Sequence, residues 1–183
     1  MRRYARAMGW VLTTAGVLVG DVVGISVRSF EERGRVTVIE LVAPGVLPRM
    51  EMVSANGHVA LASDGMRDVD LGDPQFAGVF VIRAADPWFA RVVIDATVRR
   101  ALLAAPVQSW ITKGERLIGR SSARIEPLDL FARATALCTV IAAVPWDAYP
   151  DRDTPPTLEA FQRVVSERRS HAVERLPSMP GHA

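Results

Sequence analysis

Between Ile25 and Val42 apolar and polar residues alternate with a period of two, and this alternation narrows the possible folds more than any other feature of the chain. Ile25, Val27, Ser29 and Glu31 fall on one side, with Ser26, Arg28 and Phe30 on the other. Val36, Val38, Glu40 and Val42 oppose Thr37, Ile39 and Leu41 in the same way. Successive side chains of a strand point to opposite faces, so the pattern describes two strands. Glu32-Arg33-Gly34 joins them as a hairpin, with Gly34 free to take positive φ.

The same reasoning extends along the chain. Met50, Met52 and Val53 read as a further strand, Asn56-Gly57 as a turn, and His58 to Ala62 as the partner strand. From Asp73 to Pro106 the pattern predicts one strand feeding one long helix. Phe76, Val79, Phe80, Val81 and Ile82 form the strand, which Arg83 closes, and Asp86 caps a helix whose first residue is Pro87. Phe89, Val92, Val93, Ala96 and Leu103 share one face of that helix, while Ile94, Val98 and Leu102 project elsewhere. Ser109 to Thr112 and Arg116 to Gly119 form a second hairpin around Lys113-Gly114-Glu115. A second long helix follows from Pro127 to Val144, with Leu128, Phe131, Ala132, Thr135, Cys138 and Ala142 recurring at three and four.

The expected fold is therefore α+β: an antiparallel sheet of β-hairpins with two long helices packed on one face, plus a C-terminal helix. One domain covers 1–146, a linker rich in proline and aspartate covers 147–156, an appended amphipathic helix covers 157–176, and 177–183 form a disordered tail. A chain of 183 residues with 49% hydrophobic and 23% charged residues is long enough for one substantial core. A net charge of +2 gives no reason to expect nucleic acid.

The N-terminus admits two readings. Arg2, Arg3 and Arg6 precede an apolar run from Ala7 to Val27 in which Gly16, Gly20 and Gly24 stand four apart. That is a basic flank, a membrane-length span and a small-residue packing face. Against it, Asp21 would lie in hydrocarbon, at a cost of ~2.5 to 3.5 kcal/mol near a helix centre. The soluble reading divides the run into a helix from Arg2 to Met8, a strand from Trp10 to Thr14, a glycine-rich turn, and a strand from Val22.

Candidate chemistry is sparse. Asp64, Asp68, Asp70 and Asp73 cluster in a turn and offer oxygen ligands for a divalent cation, but their spacing does not follow the EF-hand pattern. No metal site is expected, with Asp68, Asp70 and Asp73 as the weak candidates, and no cofactor. His58, His171 and His182 have no metal-ligand spacing. Ser54, Ser109, Ser121 and Ser122 lie outside any nucleophile-elbow context. Cys138, the one cysteine, rules out an intramolecular disulfide and reads as a buried small hydrophobe. Arg163, Arg168, Arg169 and Arg175 on the last helix interleave with Glu159, Glu167 and Glu174, which describes a solvated face rather than a nucleic-acid stripe. The apolar stripe of that helix, Phe161, Val164 and Val165, is the expected partner-binding surface.

The run Phe76 to Arg83, the helix start Ala84-Ala85-Asp86-Pro87-Trp88-Phe89-Ala90, Leu102 to Pro106 with Ser109-Trp110, Leu47-Pro48, and Ala5 to Trp10 together carry a family resemblance. The chain resembles uncharacterised actinobacterial proteins of the DUF3137-like type over most of 5–146. The matching residues are packing and capping positions, so the resemblance implies a domain that includes the Gly-Trp segment and no particular activity. The function expected from the sequence is a non-catalytic protein-interaction or structural module, cytoplasmic, binding another protein or a second copy of itself. The alternatives are a module anchored in the membrane by the N-terminal apolar stretch, or a small metal-dependent enzyme using the acidic turn.

Overall fold

The computed structural model describes residues 9–32, 36–56, 65–121, 125–148, 159 and 162–163. Nine strands form one sheet: β1 (Val11–Leu12), β2 (Leu18–Val22), β3 (Ile25–Glu32), β4 (Val36–Val42), β5 (Met50–Ser54), β6 (Arg67–Asp68), β7 (Phe80–Ala84), β8 (Ser109–Lys113) and β9 (Arg116–Ser121). Their spatial order is β1-β2-β3-β4-β9-β8-β5-β7-β6, and every pairing is antiparallel. The helices are α1 (Pro74–Ala77), α2 (Pro87–Val93), α3 (Ala96–Ala104) and α4 (Pro127–Ala142), followed by a 3-10 turn over Trp146–Ala148. The architecture is α+β, as the alternation predicts.

The register explains which side of the sheet is buried. Leu18, Ser29, Ile39 and Gly119 lie opposite one another across β2, β3, β4 and β9. With Val27, Leu41, Leu117, Trp110, Met52 and Ile82 they make the inner face, and all of these residues are buried. Helix α4 lies over it through Leu130, Ala134, Leu137 and Ile141, a stripe at helical spacing that is almost fully buried. The stripe expected from the sequence is rotated from this one. Leu128 is 68% exposed and Phe131 38% exposed, although Cys138 is buried. A helix apolar on most sides offers two stripes, and only the sheet decides between them.

The helix expected from Asp86 to Pro106 is two. Asp86 caps α2 by accepting from the backbone N–H groups of Trp88 and Phe89, with Pro87 in the first turn. Asp95 then starts α3, its Oδ1 accepting from Thr97 N and Val98 N at 2.8 Å each. The break changes the helical phase, so Ile94, Val98 and Leu102 are buried while Ala96 is exposed. Phe76, expected in the strand, belongs to α1, which Asp73 caps. It remains against the strand it was assigned to, its ring centroid 5.2 Å from that of Phe80.

Residues 11–27 are β-structure, and this overturns the reading of Ala7 to Val27 as a helical membrane span. Gly16 and Gly24 sit in turns at φ +77° and +80°, whereas Gly20 lies within β2 beneath the indole of Trp10. The expected glycine-rich turn thus contains a strand. The stretch Leu128–Ala148 is long and apolar enough to cross a bilayer, with mean hydropathy 1.5, and half of it is buried in this fold as the core helix and its continuation.

Two further differences concern loops. β5 is paired on both edges, by β7 and β8, so it has no free edge for the partner strand expected over His58 to Ala62, which lies outside the described residues. The β2–β3 hairpin turns on Val23-Gly24, with φ of 54° at Val23 and 80° at Gly24. Positive φ at both positions is the hallmark of a type I′ turn, which favours Asn-Gly and disfavours a β-branched residue. Val23 is 88% exposed and makes no compensating burial. Val23→Asn is expected to stabilise the chain by about 1 kcal/mol, read as a higher urea midpoint at unchanged slope.

Candidate functional site

At one end of the inner face the residues change from apolar to polar. Ser29, Glu31, Thr37 and Ser121 share the sheet side that α4 covers, since Glu31 pairs with Thr37 and Thr37 with Ser121 across the strands. Ser29, Thr37 and Ser121 are buried, and Arg133 on α4 donates to Ser121 Oγ at 2.7 Å. Beside them opens a cavity of about 400 Å³ between the β1–β2 edge and the first turn of α4. Leu12, Leu18, Ile125 and Leu130 supply its apolar wall, and Ser29, Glu31 and Thr37 its polar wall. Trp10 closes the neighbouring gap between β2 and α4, its ring 6.2 Å from that of Phe131.

The sheet's other face carries charge in pairs. Arg116 Nη1 donates to Glu40 Oε1 at 2.7 Å, and Arg28 stands 3.6 Å from Glu40 Oε2. Arg83 bridges Glu51 at 3.1 Å and Asp68 at 3.2 Å, and Arg120 lies 3.7 Å from Glu32. Glu40 and Glu51 are buried, so their guanidinium partners supply the compensation that a carboxylate out of water requires. Val42 and Val81 on the same face are 40% and 39% exposed.

The acidic turn is brought together, but its carboxylates are engaged one by one. Asp68, Asp70 and Asp73 line a second cavity of about 260 Å³ with Phe76, Phe80 and Ile82. Asp68 pairs with Arg83, Asp70 accepts from Gly72 N, and Asp73 both caps α1 and meets Arg99 Nε at 2.9 Å. Among the described residues no three His, Cys, Asp or Glu side chains converge to hold a metal ion. Asp64, His58, Ser122 and the partner-binding candidates Phe161, Val164 and Val165 lie outside the described residues. Their neighbours Glu159, Gln162 and Arg163 are helical and exposed. Ser54 and Ser109 stand on neighbouring strands of the sheet, and Ser121 is held by Arg133.

Cys138 is buried on α4, and its thiol is pushed up from 9.0 to about 12, first by burial and then by the Asp21 carboxylate. The unfolded chain releases this proton near pH 9 while the folded chain holds it. The proton difference between the two states therefore makes stability fall as pH rises from about 9 to about 12. Below the lower value the thiol has no effect. Stability profiles of the protein and of Cys138→Ala are expected to run parallel below pH 9 and to diverge above it, the parent falling faster.

The cavity was not foreseen from the sequence. Its walls come from positions as far apart as Leu12, Thr37 and Leu130, which only the strand order brings together. The one local signal was Ser29, a hydroxyl standing at an inward position of the alternating strand.

No protein-family model matches the chain, and no curated protein matches it. Among solved structures, the chain is similar in fold to the crystal structure of the mycobacterial trehalose monomycolate transport factor A, TtfA. The TM-score is 0.64 at 12% identity, and the match covers 79% of this chain and 92% of that one. At 12% identity this likeness shows the fold alone, an α+β architecture that the two chains share.

Proposed function

We propose that the protein is a non-catalytic accessory module that works by contact with another protein, in a transport-related setting. The observation that carries this reading is how its described charged groups are used. Asp73, Asp86 and Asp95 cap helices, and Glu40 and Glu51 are held in ion pairs. Cys138 is a protonated core thiol rather than a nucleophile, which would need a lowered pKa. The fold shared with a transport factor supports the same reading, and so does the DUF3137-like resemblance, whose matching residues are packing and capping positions. The contact is assigned to the C-terminal segment through Phe161, Val164 and Val165, whose polar-side neighbours Glu159, Gln162 and Arg163 are exposed. The cytoplasm is the compartment this reading favours, where a lone thiol stays reduced.

The test is a photo-reactive phenylalanine analogue at position 161 of the full chain, expressed in its own host, with the same analogue at position 159 as the polar-face control. A discrete adduct from position 161 and none from 159 supports the contact, with mass spectrometry separating a different protein from a second copy. Equal labelling at both positions, or none at either, overturns it.

A further inference from the structure

We infer that the solvent face of α4 is an interface between two copies of this chain, formed by antiparallel pairing of the two helices. A helix on a protein surface normally turns charged or polar side chains to water. α4 does not. Its two charged residues, Asp129 and Arg133, lie to one side, about 100° and about 140° round the helix from Leu128. On the solvent face Leu128 is 68% exposed and Phe131 38% exposed, Ala132 and Ala142 are exposed, and Thr135 and Thr139 are half-buried.

The two hydroxyls of this face are spent within the helix. Thr135 Oγ1 donates to Phe131 O at 2.9 Å, and Thr139 Oγ1 donates to Ala136 O at 2.6 Å. With its hydroxyl bonded back, each threonine offers its methyl group. The face is therefore uncharged and apolar along the whole of α4.

Spacing and size choose what covers it. Leu128, Ala132, Thr135, Thr139 and Ala142 stand alternately four and three residues apart, the period of a seam between helices. The large side chains, Leu128 and Phe131, lie in the first half of α4, and the second half of the face is small. A second copy running the opposite way, with Thr135 meeting its own counterpart on a twofold axis, sets Leu128 against Ala142 and Phe131 against Thr139. Large then faces small at each level. The contact is isologous and closes at two chains, and it opposes the two helix dipoles. Parallel pairing would instead crowd Leu128 on Leu128 and leave Ala142 facing Ala142 across a gap. A helix of 16 residues is about 24 Å long and about 10 Å wide, a footprint at the small end of specific interfaces. The expected dimer is accordingly weak, with a Kd on the order of 10 µM. This face is separate from the C-terminal contact and does not rest on it.

The test uses the full chain. Sedimentation between about 1 and about 200 µM is expected to show monomer passing into dimer. Thr135→Arg puts two like charges on the axis and is expected to weaken the dimer at least roughly tenfold. The register is read by disulfide cross-linking under a mild oxidant in a Cys138→Ala background. Thr135→Cys is expected to link to its own copy. Leu128→Cys, although more exposed, is not, because the two copies of that position lie about 21 Å apart along the pair. Mixed with Ala142→Cys, it is expected to link to that chain instead. A monomer at every concentration overturns the inference, and its binding to phosphatidylcholine vesicles would assign the face to lipid. Dimerisation unaltered in Thr135→Arg, or Leu128→Cys linking to itself as readily as Thr135→Cys, overturns it as well. Should the arginine variant not fold, the cysteine variants decide alone.

Discussion

Gly20→Ala is expected to destabilise the protein by about 3–5 kcal/mol, the cost of removing a large aromatic side chain from a core. The reason is a single close approach. A Cβ at position 20 would fall inside the Trp10 indole, meeting Cγ, Cδ1 and Nε1 together. Trp10 is 2% exposed and held between β2 and Phe131, and a rigid bicyclic ring has no short rotation that clears the clash. It must leave, and the methyl group that displaces it fills little of the vacated space. Trp10→Ala is expected to cost a similar amount, and adding Gly20→Ala to it nothing further. Urea unfolding of the two single variants and the double variant gives the coupling directly. Additive losses would mean that Gly20 serves the strand in some way other than by making room for the ring.

Leu137→Ala is the second large effect, with an expected loss of about 2–5 kcal/mol. Leu137 is fully buried on α4 and its Cδ1 stands over Gly119 of β9, only 2.7 Å from where a Cβ at that glycine would be. The helix therefore sits close to the sheet because one side chain fits over a residue that has none. Truncating Leu137 leaves a hole whose floor is bare backbone. Gly119→Ala added to Leu137→Ala puts a methyl group into that hole, and the double variant is expected to recover part of the loss. In the parent, the same glycine substitution pushes against Leu137 and is expected to destabilise. The change of sign between the two backgrounds, measured by thermal or urea unfolding, checks the packing.

Much of the sheet could be read from the chain because its signals are local. The alternation of β3 and β4, the Lys113-Gly114-Glu115 turn between β8 and β9, and the Asp86-Pro87 helix start each depend on a few adjacent residues. Phe76 reads as strand in the sequence but lies in α1, because a short apolar run does not separate strand from helix. Asp73-Pro74 ahead of it repeats the Asp-Pro start of α2, and was the available signal. The break at Asp95 was hidden because Ile94 and Val98, four apart, resemble one uninterrupted helix face. The sequence places a turn where β2 lies because Gly20 looks like a breaker, and the glycine's role is visible only with Trp10 above it. The cavity and the buried Glu40 and Glu51 depend on cross-strand neighbours, which the order of residues does not disclose.

The strand order has a consequence for how the chain reaches this fold. β4 and β5 are consecutive in sequence, yet the β9–β8 hairpin lies between them. The connection between them crosses the end of that hairpin, with Ala43 N donating to Glu115 O and Leu47 N to Gly114 O. Thr112 Oγ1 fastens the start of β5, accepting from Met50 N and donating to Pro48 O. Until residue 121 has left the ribosome, β4 and β5 each present an unpaired edge, and the nearest available mate for either is the other. Nascent chains stopped short of β9 are thus poised for the wrong ladder, or for pairing with a neighbouring chain. Ladders between distant segments close slowly, so this protein's window of vulnerability is its own synthesis.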